Sequence, residues 1–167
     1  MIREITAEEI PLAADIIRHA FATVAEEFGL TRENCAMHPT FLTEERLQDE
    51  IERGLRLFIL EEDGSPAGVV GLRRLEDGNF SLERLAVLPE HRHRGYGVQL
   101  VEFICRQAME AGSAKVSLQI IDEHVILKDW YTRLGFTAVG VRQYPHLPFT
   151  VGLMERHFTG DYDGSLA

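Results

Sequence analysis

The chain has 167 residues, 45% of them hydrophobic and 26% charged, a length and balance suited to one sizeable soluble core and too short for two ordinary domains. A formal net charge of −10 argues against nucleic acid as a partner, and no apolar run approaches the roughly 20 residues of a membrane span. Cys35 and Cys105 do not form a disulfide framework, and the N-terminus lacks the basic-then-apolar pattern of a secretory signal, so a reducing, cytoplasmic setting is expected.

Residues 2–5 read as a short strand, and Thr6-Ala7-Glu8-Glu9 as a capping box that opens a helix, with Pro11 near its first turns. Ile10, Ala14, Ile17, Phe21, Val24 and Phe28 recur at spacings of four and three, which predicts one apolar stripe down a long helix closed by Gly29. The stretch to Pro39 has no periodicity and reads as a loop carrying Cys35, Met37 and His38. Residues 43–54 form a short charged helix with Leu47 and Ile51 on one side and Gly54 at its end.

Two strands follow, at 55–61 and 67–72, joined by Asp63-Gly64-Ser65-Pro66; the turn Glu76-Asp77-Gly78-Asn79 then leads into a third at 80–87. These make an antiparallel meander. A helix beginning at Gly95 or Gly97 and ending at Ala111 turns Leu100, Val101, Ile104, Cys105 and Ala108 inward, and the apolar strand 115–121 behind it completes a parallel crossover. A helix at about 125–134 and strands at 136–141 and 149–154 finish the fold, the last two joined by Tyr144-Pro145-His146-Leu147-Pro148. One domain is expected over residues 1–158, with the polar tail 159–167 frayed.

The informative motif is Arg92-x-x-Gly95-x-Gly97, set between an apolar strand and an amphipathic helix. A glycine-rich turn lets backbone NH groups approach a ligand, and the positive end of the helix favours phosphate. A dinucleotide fingerprint would need a third glycine where Leu100 stands, and a Walker loop would need Lys-Ser or Lys-Thr where Val98-Gln99 stands. The alternative is a surface turn rich in Arg and His. Arg84, Arg92 and Arg94, with His91 and His93 beside them, make the densest basic patch, which an anionic cofactor explains. The acidic remainder of the chain leans weakly toward cationic acceptors such as amines.

A second segment, Trp130-Tyr131-Thr132-Arg133-Leu134-Gly135-Phe136, places a tyrosine, three residues and Gly-Phe where a helix ends and a strand begins. In this order and spacing the two segments resemble the GNAT superfamily of acyl-CoA-dependent N-acyltransferases, over about residues 2–158. The resemblance implies a mixed α/β (α+β) fold: a central, mostly antiparallel twisted sheet of about seven strands flanked by about four helices. It implies acetyl-CoA as cosubstrate and transfer of its acetyl group to a primary amine by direct attack in a ternary complex. A small-molecule acceptor is expected, with a protein amine as a further possibility, and a homodimer is common in the family. A different class of function is an acyl-CoA-binding sensor that has lost turnover.

The resemblance also assigns residues. The pyrophosphate falls to the backbone of Arg92, His93, Arg94, Gly95, Tyr96, Gly97 and Val98. The pantetheine arm and thioester oxygen fall to the main chain of Leu85, Ala86 and Val87, whose side chains also suit a core. Tyr131 matches the general acid that protonates the CoA thiolate; its ordinary pKa of about 10 keeps the hydroxyl protonated. Ordinary aromatic packing is the alternative. Glu83, which strand alternation puts on the face of Ser81, Leu85 and Val87, is either the general base or a solvated strand charge paired with Arg84 or Arg73. A water relay, His38 or His146 are other routes for the proton. His124 stands where the family commonly has an asparagine that bonds the pantetheine arm, and is either an altered contact or an exposed helix-start residue. Tyr144, His146 and Phe149 either touch the acceptor or pack a turn. Seven histidines without close pairing argue against a metal site.

Overall fold

Seven strands pair into one sheet in the computed structural model, which describes residues 1–159; the frayed tail expected beyond them lies outside the described residues. Strands β1 (Ile2–Glu4), β2 (Arg56–Glu62), β3 (Ser65–Arg74), β4 (Phe80–Val87), β5 (Lys115–Ile121), β6 (Thr137–Gln143) and β7 (Thr150–His157) stand in the order β1-β2-β3-β4-β5-β7-β6. Every neighbouring pair is antiparallel except β4 and β5. Helices α1 (Ile10–Glu27) and α2 (Glu44–Glu52) cover one face, and α3 (Tyr96–Glu110) and α4 (Val125–Arg133) the other. The expected mixed sheet of seven strands with four helices is therefore the fold.

Local chemistry explains most element ends. Glu9 bonds back to the Thr6 NH at 2.8 Å while its own NH reaches the Thr6 carbonyl at 3.1 Å. This closes a 3-10 turn at Ala7–Glu9, so the α-helix starts only at Ile10, with Pro11 in the first turn where its missing NH has no partner to lose. Between β2 and β3, Asp63 and Gly64 both take positive φ (51° and 77°), the two-residue hairpin turn that matches strand twist.

The sheet has two cores. Val70, Leu72, Leu82, Leu100, Ile104 and Val116 are packed on the α3 side, and Ile17, Leu47, Leu57, Ile59, Val69 and Ala86 on the α1 side. The stripe expected along α1 divides: Ile10, Ala14 and Ile17 are buried, whereas Phe21 and Val24 are only half-buried and line a cleft. Amphipathic spacing does not distinguish a core from a cavity wall.

Alternation along β4 is corrected by the structure. Gly71 pairs with Glu83 but Val69 pairs with Ala86, so β4 carries one residue more than β3 over this stretch, and Arg84 there adopts φ 55°. This β-bulge reverses the phase of the strand. Ser81 and Glu83 therefore face α1 and α2, while Leu85 and Val87 pack on the α3 side, not on the face of Glu83. Just past the bulge, the backbones of β3 and β4 are close: a Cβ on Gly68 would lie 2.7 Å from the Ala86 carbonyl oxygen and 3.2 Å from Leu100 Cδ1. Gly68→Ala is expected to destabilise the fold by about 1–3 kcal/mol through this overlap, read as a lowered denaturation midpoint with an unchanged slope.

Candidate active site

β4 and β5 are paired only at Phe80↔Val116 and Ser81↔Ser117, although β5 continues to pair with β7 along its whole length to Ile121↔Val151. Beyond Ser81 the two parallel strands part. The opening is a cleft of about 1440 Å³, walled by β4 and β5, by α1 on one face and by the starts of α3 and α4 on the other. Ser81 Oγ and His91 Nδ1 are buried on its wall without a protein partner. Such groups are costly to bury unless a ligand or water meets them.

The head of α3 has the form of an anion cradle. Gly95 is the N-cap at φ 83°, preceded by His93 at φ 63°. Among the described residues, no carbonyl or side chain accepts from the backbone NH groups of residues 93–98, and the first NH to bond is that of Gln99, to the Gly95 carbonyl at 3.1 Å. Six consecutive donors at a helix N-terminus suit a phosphate. Gly97 serves packing as well, since a Cβ there would lie 3.1 Å from the Trp130 ring.

Arg92 is placed differently from expectation. Its NH bonds to the Pro89 carbonyl, and its side chain donates to Val87 O (3.2 Å), Thr23 Oγ1 (3.1 Å) and Ala20 O (2.7 Å). It fastens the loop to α1 and has no donor to spare at the backbone, so the cradle proper is 93–98. The basic patch divides likewise: Arg84 points to α2, and His93 and Arg94 are the exposed members beside the cradle.

Tyr131 lies at the inner end of the cleft, 4% exposed, edge-on to Trp130 (4.9 Å) and Phe136 (5.5 Å). Burial pushes its phenol pKa well above the ordinary value, so the hydroxyl stays protonated and can only be a donor to an anion at neutral pH.

The opposite wall is charged. Glu83 Oε2 accepts from Arg73 Nε at 2.8 Å and its side chain is 35% exposed. Arg84 Nε and Nη2 grip Glu50 at 3.3 and 2.6 Å, and Arg46 Nε reaches the same carboxylate at 3.6 Å. His38 is buried beside Phe21 and Phe41, and its Nδ1 accepts from the Thr40 NH at 3.2 Å. That acceptance puts the proton of the neutral ring on Nε2, so His38 is a donor toward the cleft and no base. Burial, then the charges of Arg84 and Arg46, lower its pKa to about 4.

Phe149 lines the cleft together with Leu147, but Tyr144 and His146 do not; they stack on each other at 5.7 Å outside it. A turn closed by the Leu147 NH on the Tyr144 carbonyl at 3.0 Å lies within this loop. His124 lines the cleft half-buried as the N-cap of α4, with Nδ1 toward the Leu127 NH (3.4 Å) and its ring 5.3 Å from Phe28. No sequence signal assigns Glu50, Ser81 or Trp130 a place in the site, and Arg84, expected beside an anionic cofactor as part of the basic patch, is turned to α2 instead. Two signals for the charged wall are available in the sequence: the helical spacing of Arg46 and Glu50, and the pairing of Glu83 with Arg73 on neighbouring strands.

A split between parallel strands beside a donor-rich helix start offers a place for an extended, phosphate-bearing ligand. The signature of the Acetyltransferase (GNAT) family matches residues 20–136, and the chain belongs to that family. An uncharacterised N-acetyltransferase of Lactobacillus delbrueckii subsp. lactis is 23% identical over 144 residues, covering 81% of this chain and 83% of its own. An uncharacterised N-acetyltransferase of Bacillus subtilis (strain 168) is 25% identical over 89 residues, 53% of this chain but only 36% of that longer protein. The crystal structure of the PaiA N-acetyltransferase of Thermoplasma acidophilum in complex with coenzyme A superposes with a TM-score of 0.77 at 18% identity, covering 95% of this chain and 98% of the other. Among the described residues no helix is long and apolar enough to cross a membrane, and no group of three or more His, Cys, Asp or Glu is placed to hold a metal.

The site gives stability a pH dependence. With His38 at about 4 in the folded protein and about 6.5 unfolded, the unfolded chain binds the extra proton between those values. Stability therefore falls as pH drops from about 6.5 to 4, by roughly 3 kcal/mol from this group. In urea titrations at several pH values, His38→Gln should flatten that part of the profile; an unaltered slope would remove His38 as its source.

Proposed function

We propose that the protein is an N-acetyltransferase that moves the acetyl group of acetyl-CoA to a primary amine by direct attack within a ternary complex. The observation that carries this reading is the run of six unbonded NH groups at residues 93–98, opening onto the split between β4 and β5. Acetyl-CoA, when bound, supplies an activated acetyl thioester. The cradle fits its pyrophosphate in charge and donor number, and the orphaned Ser81 Oγ and His91 Nδ1 give a polar ligand further partners. The edge of β4 at Leu85, Ala86 and Val87 faces no strand on the β5 side, leaving main-chain groups to align an extended arm and to polarise a carbonyl.

The chain's own residues then handle two protons. An alkylammonium, with a pKa of about 10, must lose a proton before it can attack. Glu83 lines the cleft, and Arg73 engages only its Oε2, which supports Glu83 as the acceptor for that proton. Tyr131, protonated at any working pH, donates to the sulfur as negative charge develops there.

Acceptor-dependent release of thiol from acetyl-CoA across a panel of amines tests the assignment. Tyr131→Phe is expected to lower kcat by about 10²-fold, the low end for a lost proton donor, with acetyl-CoA affinity changed less than about threefold. Acetyl-CoA binding without turnover for every amine would point to a sensor instead. Glu83→Gln should abolish the acidic limb of the pH–rate profile, and a variant that keeps it would exclude Glu83 as the base.

A further inference from the structure

The bulge in β4 does more than open the cleft. Because Arg84 takes the left-handed conformation, φ 55°, the consecutive side chains of Glu83 and Arg84 both leave the strand on the α1 and α2 side and both line the cleft. A left-handed arginine inside a strand costs about 1–2 kcal/mol. An anionic and a cationic group thus stand on neighbouring residues at one wall.

We propose that the acceptor is an α-amino acid or a close relative, its carboxylate held by Arg84 and His38 and its amine presented to Glu83. This deepens the acetyl-transfer reading above and rests on it. Arg84 spends Nε and Nη2 on Glu50; among the described residues Nη1 has no protein partner, on a side chain 14% exposed at the cleft wall. A guanidinium can bind two carboxylates through different edges of its planar fork. Glu50 is already shared with Arg46, so two cations stand on one anion and the wall holds a surplus positive charge. That surplus lies within a chain of net charge −10.

His38 adds a second donor of the right kind. Its Nδ1 is occupied by the Thr40 NH, so Nε2 carries the proton, and the neighbouring Arg84 and Arg46 help to keep the ring neutral. A carboxylate between Arg84 and His38 would meet two donors of fixed character, whereas an ammonium in that position would meet two donors and no acceptor from them. Arg73 is paired with Glu83, and this neutral pair leaves Glu83 as the group for the ammonium. Phe21, Leu147 and Phe149 supply an apolar lining, which strengthens charge recognition by excluding water.

Initial rates at saturating acetyl-CoA with matched acceptors test this: L-phenylalanine, L-phenylalaninamide and phenethylamine, and the same series from L-methionine and L-glutamate. For at least one series the free acid is expected to exceed its amide and its decarboxylated amine in kcat/KM by about tenfold or more, because a site built for a carboxylate leaves donors unmet without it. Arg84→Gln should reduce that preference to about twofold by raising KM for the acid, and Arg84→Lys should restore part of it. The wild-type comparison stands even if the variants fold poorly. Amides or simple amines that serve as well as every acid would overturn the carboxylate site alone, with acetyl transfer intact. Failure of every amine, acid, amide or decarboxylated, to release thiol from acetyl-CoA would overturn both.

Discussion

Everything at the site depends on one break in a hydrogen-bonded ladder. Parallel strands inside a sheet ordinarily stay paired, because each unpartnered backbone group costs free energy when buried. Here β4 and β5 pair at two positions only, then separate, while their outer edges remain held by β3 and β7. The split is therefore a rigid feature: each strand is fixed from its far side. Polar main chain is left facing a cleft, which is what an extended, amide-containing ligand can bond and what apolar side chains alone could not provide.

The bulge and the break are coupled through packing. By adding one residue to β4, the bulge lets Leu82 and Leu85 both serve the α3 core while Ala86 returns to the α1 core. The strand can then bend away from β5 without surrendering either hydrophobic face. Arg92 ties the end of this bent strand to α1 through the Ala20 carbonyl and the Thr23 hydroxyl. The NH cradle, the bent strand and the charged wall are in this way positioned against one another, as the proposed transfer between two bound substrates requires.

What the sequence disclosed follows from how local each signal is. The start of α3 was legible because a left-handed N-cap and a close helix contact need glycine, and Gly95 and Gly97 announce both. Tyr131 was legible through its spacing to Gly135, which takes φ 93° at the helix end. The bulge was not: its left-handed residue is an arginine, and nothing in Leu82-Glu83-Arg84-Leu85 departs from a regular strand. The placing of Arg92 is not legible either: its NH closes the short turn at Pro89, and its guanidinium is held by Thr23 and Ala20, about 70 positions away. Phe21 and Val24 obey the same periodicity as Ile17, and only tertiary structure separates the wall of a cleft from the core.

Charge shows the same limit most clearly. A net charge of −10 points, taken over the whole chain, toward cationic partners. Yet interactions between exposed charges are largely screened beyond about 10 Å, whereas half-buried groups at a cleft wall act in a lower dielectric and at contact distance. Much of the acidic excess lies on exposed positions away from the cleft, such as Glu26, Glu33, Glu44 and Glu45. The field an acceptor meets is set instead by Arg84, Arg46 and Glu50, two positive charges on one negative, next to the balanced pair of Arg73 and Glu83. Composition points only to a cationic group, whereas the wall at Arg84 supports the proposed anionic one beside it, because nearer charges are less screened.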